Sequence, residues 1–278
     1  MEGHKKPHMP PMMERAEWKD LGDGIYNIAS PPVGFQQYVV IGMERAALID
    51  TGMGIGSIAD VVKQITDLPV IVINTHGHPD HAGGHAEFAP ALINPSDRDV
   101  FEQMTTLEFR RQDVARMPGG EKWAEKLQPQ GPEPVDAEDG QILDLGGREL
   151  ELMFAPGHTH GSMFVIDIAT GTVFTGDNVQ PMTTALREWN SSTVEDLYES
   201  LLKLREKNPT RLLSGHRPND SAPELLERKI ACAKAILDGA EGEKNERMGN
   251  VTYIYEYEGT SIEYTPERIH REMRQGGR

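Results

Sequence analysis

Apolar positions along this chain follow two rhythms, one of two residues and one of three to four. Residues 24–30 and 35–42 read as two early strands, joined by a turn at Pro31-Pro32. Residues 46–50 are a short apolar strand that ends in Asp50-Thr51-Gly52. In residues 57–68 the spacing changes, and Ile58, Val61, Val62 and Ile65 fall on one side of a helix. Residues 70–74 begin with an unbroken β-branched run, as a strand buried on both faces requires. They lead directly into Thr75-His76-Gly77-His78-Pro79-Asp80-His81.

Downstream, residues 91–94 predict another short strand, and residues 97–135, rich in charge with several Pro and Gly, predict a mostly helical insertion. Residues 149–154, 163–168 and 172–175 form a strand-rich stretch whose turns carry His or Asp. Ser192-Thr193-Val194-Glu195 reads as a capping box that opens a helix running to Lys207. Residues 211–214 are a strand ending at Gly215-His216. Ser221-Ala222-Pro223-Glu224 opens a further helix in the same way, with Leu226, Ile230, Ala233 and Leu237 on one face. Residues 251–257 alternate and pair with 261–264 as a terminal hairpin around Gly259. Strands dominate both halves and helices follow each group of strands. Two sheets packed face to face, with helices outside, satisfy that order. No linker or low-complexity block divides the chain, so residues 17–278 are expected to form one domain behind a mobile tail of residues 1–16.

Composition narrows the function class. The chain has 278 residues, 37% of them hydrophobic, enough for a substantial core. Its formal net charge of −16 repels phosphate backbones, which argues against a nucleic-acid partner. The single cysteine, Cys232, excludes an internal disulfide and fits a reducing compartment. It has no motif around it and reads as a small buried residue. The first thirteen residues, with His4 and His8, hold no apolar run and are neither a signal peptide nor a membrane helix. A cytoplasmic enzyme with a small-molecule substrate and no membrane partner is the simplest expectation.

The chemistry is concentrated in His76-x-His78-x-Asp80-His81. Two histidines two residues apart in an extended segment can converge on one ion, while Asp80 and His81 at the following turn can face a second. Imidazole nitrogen with carboxylate oxygen suits zinc, and also iron or manganese. So many donors in a buried loop would be costly without a cation. Three further turns each add a donor after a predicted strand. They are Ala155-Pro156-Gly157-His158-Thr159-His160-Gly161-Ser162, Phe174-Thr175-Gly176-Asp177 and Leu213-Ser214-Gly215-His216. Each is weak alone, because a histidine after a strand is usually a satisfied polar group; together they form a set of donors at strand ends.

The ordered set Asp50, His76/His78/Asp80/His81, His158, Asp177 and His216 resembles the five motifs of the metallo-β-lactamase superfamily, with glyoxalase II-type and lactonase members nearest by motif. The resemblance covers roughly residues 20–220. It implies an αββα four-layer sandwich of the mixed α/β class: two mixed sheets face to face, helices outside, and a metal site at one sheet edge. It also implies two divalent metal ions, zinc foremost, with iron or manganese as alternatives. Carried over residue by residue, His76, His78 and His158 would hold the first ion, Asp80, His81 and His216 the second, and Asp177 would bridge them. Asp50 would orient the metal-binding loop from behind. The chemistry so implied is a metal-bridging hydroxide, available near neutral pH, that attacks a carbonyl or phosphorus while a metal steadies the oxyanion. Asp80 would align that nucleophile or shuttle its proton.

The substrate is narrowed by what the chain lacks. Flavodiiron proteins resemble it but carry Glu at the position of His78 and usually append a flavin domain. Related nucleases bind polyanions, which the charge opposes. The β-lactamases most similar in motif lack the bridging carboxylate that Asp177 supplies. A carboxylic ester, thioester or lactone hydrolase is the favoured reading. The alternatives are a mononuclear iron persulfide dioxygenase using the equivalents of His76, His158 and Asp177, or a phosphodiesterase or β-lactam hydrolase on the same fold. A non-catalytic binding protein is disfavoured because every ligand position is filled.

Selectivity is expected from residues 97–135, with Phe109, Arg110, Arg111 and Trp123, where many relatives place a lid. Arg110 and Arg111 either pair with a substrate carboxylate or lie on a solvated helix face, the latter being favoured. Met182 and Trp189 either line the pocket or pack. His160 either protonates a leaving group or supports the site from behind, with support favoured. The last helix, with Arg228, Lys229 and Lys234, does not match the glutathione-binding pattern of glyoxalase II-type enzymes. The Tyr253/Tyr255/Tyr257 stripe suits a packed sheet face or a homodimer contact.

Overall fold

The computed structural model describes residues 12–88, 90–117, 119–216, 220–247 and 250–274. Most of the expected N-terminal tail, including His4 and His8, lies outside the described residues. Where the tail is described it is tied down: the Met13 amide donates to the Pro32 carbonyl at 2.8 Å, and Lys122 pairs with Glu14.

The first sheet holds seven strands in sequence order. These are β1 (Glu17–Asp20), β2 (Ile25–Ser30), β3 (Phe35–Ile41), β4 (Ala46–Ile49), β5 (Val70–Ile73), β6 (Leu92–Ile93) and β7 (Val135–Asp136). Pairing is antiparallel from β1 to β4 and parallel from β4 to β7. The second sheet contains β8 (Gln141–Asp144), β9 (Glu149–Phe154), β10 (Met163–Asp167) and β11 (Thr172–Gly176), and a third begins with β12 (Thr183–Leu186). Strand β13 (Arg211–Ser214) joins the second sheet parallel to β11, and β14 (Asp220–Ser221) closes its edge. In the third sheet β12 runs parallel to β17 (Thr260–Tyr264), followed by β16 (Asn250–Tyr257) and β15 (Glu243–Arg247).

Strand alternation sorts the core into layers. On the inner faces, Ile25, Tyr38, Val40, Ile49 and Ile73 meet Leu150, Leu152, Val165, Phe174 and Leu213. On the outer face of the first sheet, Ile28, Val39, Leu48 and Val72 cover Ile58, Val61 and Val62 of α1 (Ile58–Ile65). The outer face of the second sheet presents Phe164, Ile166 and Leu212 to Leu197, Leu201 and Leu204 of a helix at Val194–Glu206, and to Leu226, Ile230 and Ala233 of another at Glu224–Leu237. Helix, sheet, sheet, helix is the expected four-layer order.

Short helices fill the rest: α2 (Pro79–Ala82), α3 (Arg98–Met104), α4 (Leu107–Ala115) and α5 (Gly120–Ala124) precede α6 (Val194–Glu206), α7 (Glu224–Leu237) and α8 (Arg271–Arg274). Two expected helix starts are corrected. The box of α6 is Thr193 with Asp196, one residue later than read, because Thr193 and Asp196 exchange side-chain to backbone bonds at 3.0 Å. Helix α7 has no side-chain cap: Pro223 occupies its start, and Ser221 is spent in β14. The expected C-terminal hairpin is one part of the four-stranded third sheet, whose other strands, β12 and β15, were not read from the pattern. Tyr253, Tyr255 and Tyr257 pack against the α6–α7 core, which is the packed-face reading of that stripe.

Candidate metal centre

The donors gather where the two sheets share an edge. β4 ends at Ile49, and Asp50 follows in the left-handed region at φ 60°, a conformation aspartate tolerates better than most residues. The turn aims its carboxylate across the end of β5, where it accepts the Thr75 amide at 2.7 Å and the Thr75 hydroxyl at 2.9 Å. Its Oδ2 also receives Nδ1 of His81 at 2.8 Å. One buried carboxylate thus fixes the entry to the histidine loop and the ring at its far end. Pro79 opens α2, so Asp80 and His81 project from consecutive positions of a helical turn, past the extended His76 and His78.

Two groups of donors result. His78 Nδ1 lies 3.1 Å from His76 Nε2 and 3.0 Å from His158 Nε2. Ligands about one tetrahedral zinc sit roughly 3.3 Å apart for bond lengths near 2.05 Å, so the three nitrogens have nearly that spacing. Beside them, His81 Nε2 and His216 Nε2 are 3.4 Å apart, and Asp80 Oδ2 is 3.3 Å from His216 and 3.8 Å from His81. Asp177 stands between the groups. Its Oδ1 is 3.4 Å from His81, and its Oδ2 is 3.1 Å from His216 and 3.7 Å from His158.

Three of the rings, His81, His158 and His78, are tied to the scaffold through their other nitrogen, as ligating histidines require. His158 donates from Nδ1 to the Ala185 carbonyl at 2.8 Å, which turns Nε2 toward the other donors. His78 Nε2 lies 2.8 Å from the Asn190 amide, and Asn190 Oδ1 is without a partner among the described residues. A half-turn of that amide makes its oxygen the acceptor for the Nε2 proton of a ring that ligates through Nδ1.

Burial, followed by the neighbouring imidazoles His81, His78 and His158, holds His76 well below the ordinary histidine pKa. Burial chiefly, then His158, brings His78 down to about 3. Both rings are therefore neutral at pH 7, with lone pairs available. Burial opposes charge on His81 and His216 as well, but nearby carboxylates outweigh it. Asp50, Asp80 and Asp177 raise His81 well above the ordinary value, and Asp177 and Asp80 raise His216. Burial would likewise favour a neutral Asp177, but His216 and His81 hold its pKa well below the usual carboxylate range.

These donors fit divalent metal. Three imidazole nitrogens facing one point cannot satisfy one another with the few protons they carry, and among the described residues buried Asp177 Oδ1 has no hydrogen-bond partner. The groups His76/His78/His158, His76/His81/Asp177 and Asp80/His81/His216 each bring one ligand atom per residue within 4.8 Å.

Several contributors carried no motif. Asp97, fully buried, accepts the Gly77 amide at 2.8 Å, the Thr159 hydroxyl at 2.7 Å and the Gly161 amide at 2.8 Å, joining the two histidine-bearing loops. Asn178 accepts the His158 amide at 2.7 Å through Oδ1. His160 turns its Nδ1 to the Ser192 hydroxyl at 2.8 Å, and it is not among the residues that line the cavity.

That cavity, about 530 Å³, opens directly onto His78, Asp80, His158, Asp177 and His216. Phe109 and Met182 line it, which for Met182 is the pocket alternative, whereas Trp189 is 54% exposed and does not. Arg110 is corrected on both expected roles, since it is neither a substrate anchor nor on a solvated face. It is fully buried, and its guanidinium donates to the carbonyls of Thr105, Met53, Gly83 and Gln128. Arg111 is exposed and lies outside the cavity wall.

Comparison with known proteins agrees with this geometry. The sequence model of the metallo-beta-lactamase superfamily matches residues 32–216. The acyl-coenzyme A thioesterase MBLAC2 of Bos taurus is 30% identical over 196 residues, which cover 60% of this chain and 68% of that protein. A hydroxyacylglutathione hydrolase of Gloeobacter violaceus is 28% identical over 137 residues, covering 49% of this chain and 44% of that protein. Among solved structures, an archaeal metallo-beta-lactamase superfamily protein from Sulfolobus tokodaii superposes with a TM-score of 0.56 at 22% identity, covering 82% of this chain and 91% of that one.

Proposed function

This chain belongs to the metallo-β-lactamase superfamily and is a metallo-hydrolase, and from that premise we propose that it cleaves the carbonyl–sulfur or carbonyl–oxygen bond of an acyl thioester, ester or lactone at a two-metal centre. The observation that carries the reading is the convergence of seven donors, His76, His78, Asp80, His81, His158, Asp177 and His216, at one end of an open cavity. The thioester hydrolases among its relatives support the choice of bond.

Two divalent ions, zinc foremost, would supply water acidified to near-neutral pKa and electrophilic charge for a developing oxyanion. The chain's own side chains do the rest. His76 and His78 present unprotonated nitrogens on one side, with His158 Nε2 turned toward them, and Asp80, His81 and His216 form the other set, with ionised Asp177 between them. Asp50, the Ala185 carbonyl and Asn190 keep three of the rings from rotating away. Asp80, whose side chain retains 20% of its exposure, sits on the cavity wall, where its carboxylate can orient a water and take or return a proton. The cavity seats the scissile carbonyl beside these groups. Water then adds its oxygen to the acyl carbon and a proton to the departing sulfur or oxygen, so a thioester leaves as acid and thiol.

The test is a panel of simple thioesters, lactones and aryl esters, assayed before chelation, after verified metal removal, and after zinc is returned. Turnover should vanish with the metal and come back with it. Undiminished rates in metal-free protein would end this reading.

A further inference from the structure

Beyond the donors, the cavity is rich in large apolar side chains. Besides Pro79 and Ala185, its apolar lining is Phe35 and Met53, Met104, Phe109 and Met117 from α3, α4 and the turn after α4, and Met182. Four of these six are methionines. Phe35 and Met53 are buried and belong, with Met117, to a separate small core built on Val114 and Trp123. Met104, Phe109 and Met117 are half-buried, and Met182 is 42% exposed. The wall is therefore anchored on a packed core through Phe35, Met53 and Met117, while Met104, Phe109, Met117 and Met182 keep accessible surface. Unbranched thioether side chains re-pack readily around an apolar ligand of variable length.

The charges in the same cavity point the same way. Arg116 has Asp113 at 3.9 Å, and Arg187 is paired with both Glu188 and Glu263. Each cation is answered by a carboxylate, and the donor Asp80 is a further carboxylate of the same lining. An anionic acyl chain would meet Asp113 and Glu188 without a cation reserved for it.

We infer that the acyl half of the substrate is a flexible, uncharged aliphatic chain lying on this methionine wall, with Met104 and Met117 setting how long a chain is accepted. The inference rests on the hydrolase reading above for the scissile bond, while the wall recognises the chain independently of cleavage. Each methylene moved from water onto such a surface contributes at most about a fourfold gain, from ~0.8 kcal/mol per buried methylene.

The experiment uses the zinc-loaded protein and N-acetylcysteamine thioesters, whose small neutral leaving group is the same throughout. Acetyl, butanoyl, hexanoyl, octanoyl and adipoyl chains are compared. We expect kcat/KM to rise about two- to fourfold per methylene up to the length that fills the cavity, and adipoyl to fall at least tenfold below hexanoyl. In Met104→Trp and in Met117→Trp the octanoyl-to-acetyl ratio should drop at least tenfold, a ratio that does not depend on the fraction of folded protein. A flat series, adipoyl equal to hexanoyl, or a ratio unmoved in both variants would overturn the inference. Binding of the matching S-alkyl thioethers, measured calorimetrically on loaded and metal-free protein, separates the two claims. Length-dependent binding without turnover would sink the hydrolase reading and sustain this one. Turnover with length-independent binding would do the reverse.

Discussion

The two histidine-bearing loops meet on a side chain that ligates nothing. Asp97 receives the Gly77 amide and the Thr159 hydroxyl on Oδ2 and the Gly161 amide on Oδ1, and it has no exposed surface. In Asp97→Asn, one oxygen can still serve Gly77 and Thr159, but the new amide group then faces the Gly161 N–H, donor against donor. One charge-assisted bond is lost and a buried donor is orphaned, a cost of about 2–3 kcal/mol. For a chain of this length that lowers Tm by about 4–12 °C. Because Gly77 separates His76 from His78, and Gly161 lies three residues past His158, the loss should also loosen the three-histidine group. Affinity there should fall about 10- to 100-fold, as is usual when a partner that orients ligands is removed. Thermal melts of metal-free protein read the first effect, and competition against a chromophoric chelator reads the second. Wild-type Tm and wild-type affinity in the Asn variant would refute the reasoning. A lowered Tm with unchanged affinity would show that Asp97 holds the fold and not the ligands.

Gly215→Ala places a Cβ 2.3 Å from His81 Cε1 and 3.0 Å from Asp177 Oδ1, so the variant should retain one metal equivalent and lose the other. Two equivalents in its metal analysis would contradict that steric account. The pH dependence follows from the signs of the shifts. His76 and His78 are depressed, so their stability contribution is present above the ordinary value of ~6.5 and is lost as pH falls below it. His81 and His216 are raised, so their contribution in metal-free protein is present below ~6.5 and is lost as pH rises through their folded values. Metal binding must displace those protons. The Tm gain on adding zinc should therefore grow from pH 5 to pH 8, and a gain independent of pH would count against protonated His81 and His216 in the empty site.

Much of this was legible in the sequence because the ligands sit where strands end. The β-branched run before Thr75 fixes β5 as an interior strand, and that alone places His76 at its exit. The same logic holds for Asp177 after β11 and His216 after β13. The supporting residues were not legible, because their work depends on distant chain partners. Nothing in Asn94-Pro95-Ser96-Asp97 signals that Asp97 will receive amides from Gly77 and Gly161. Arg110 occupies a position in a charged helix that reads as solvated, yet tertiary packing encloses it among four carbonyls. Strand β12 gives no signal in the sequence, because Thr183–Leu186 is too short to show a period and is held by parallel pairing with β17 near the far end of the chain. That pairing matters to the site, since Ala185 in β12 is the acceptor for His158.

The proposed chemistry needs two cations sharing Asp177. Its most direct measurement is a metal titration of the chelator-stripped protein, with bound metal counted by elemental analysis of wild type and of Asp177→Ala. Two equivalents of zinc in wild type, falling to one or none in a variant with an unchanged circular dichroism spectrum, are what the geometry predicts. Saturation of wild type at one equivalent, above all one iron accompanied by oxygen uptake with a persulfide, would contradict it.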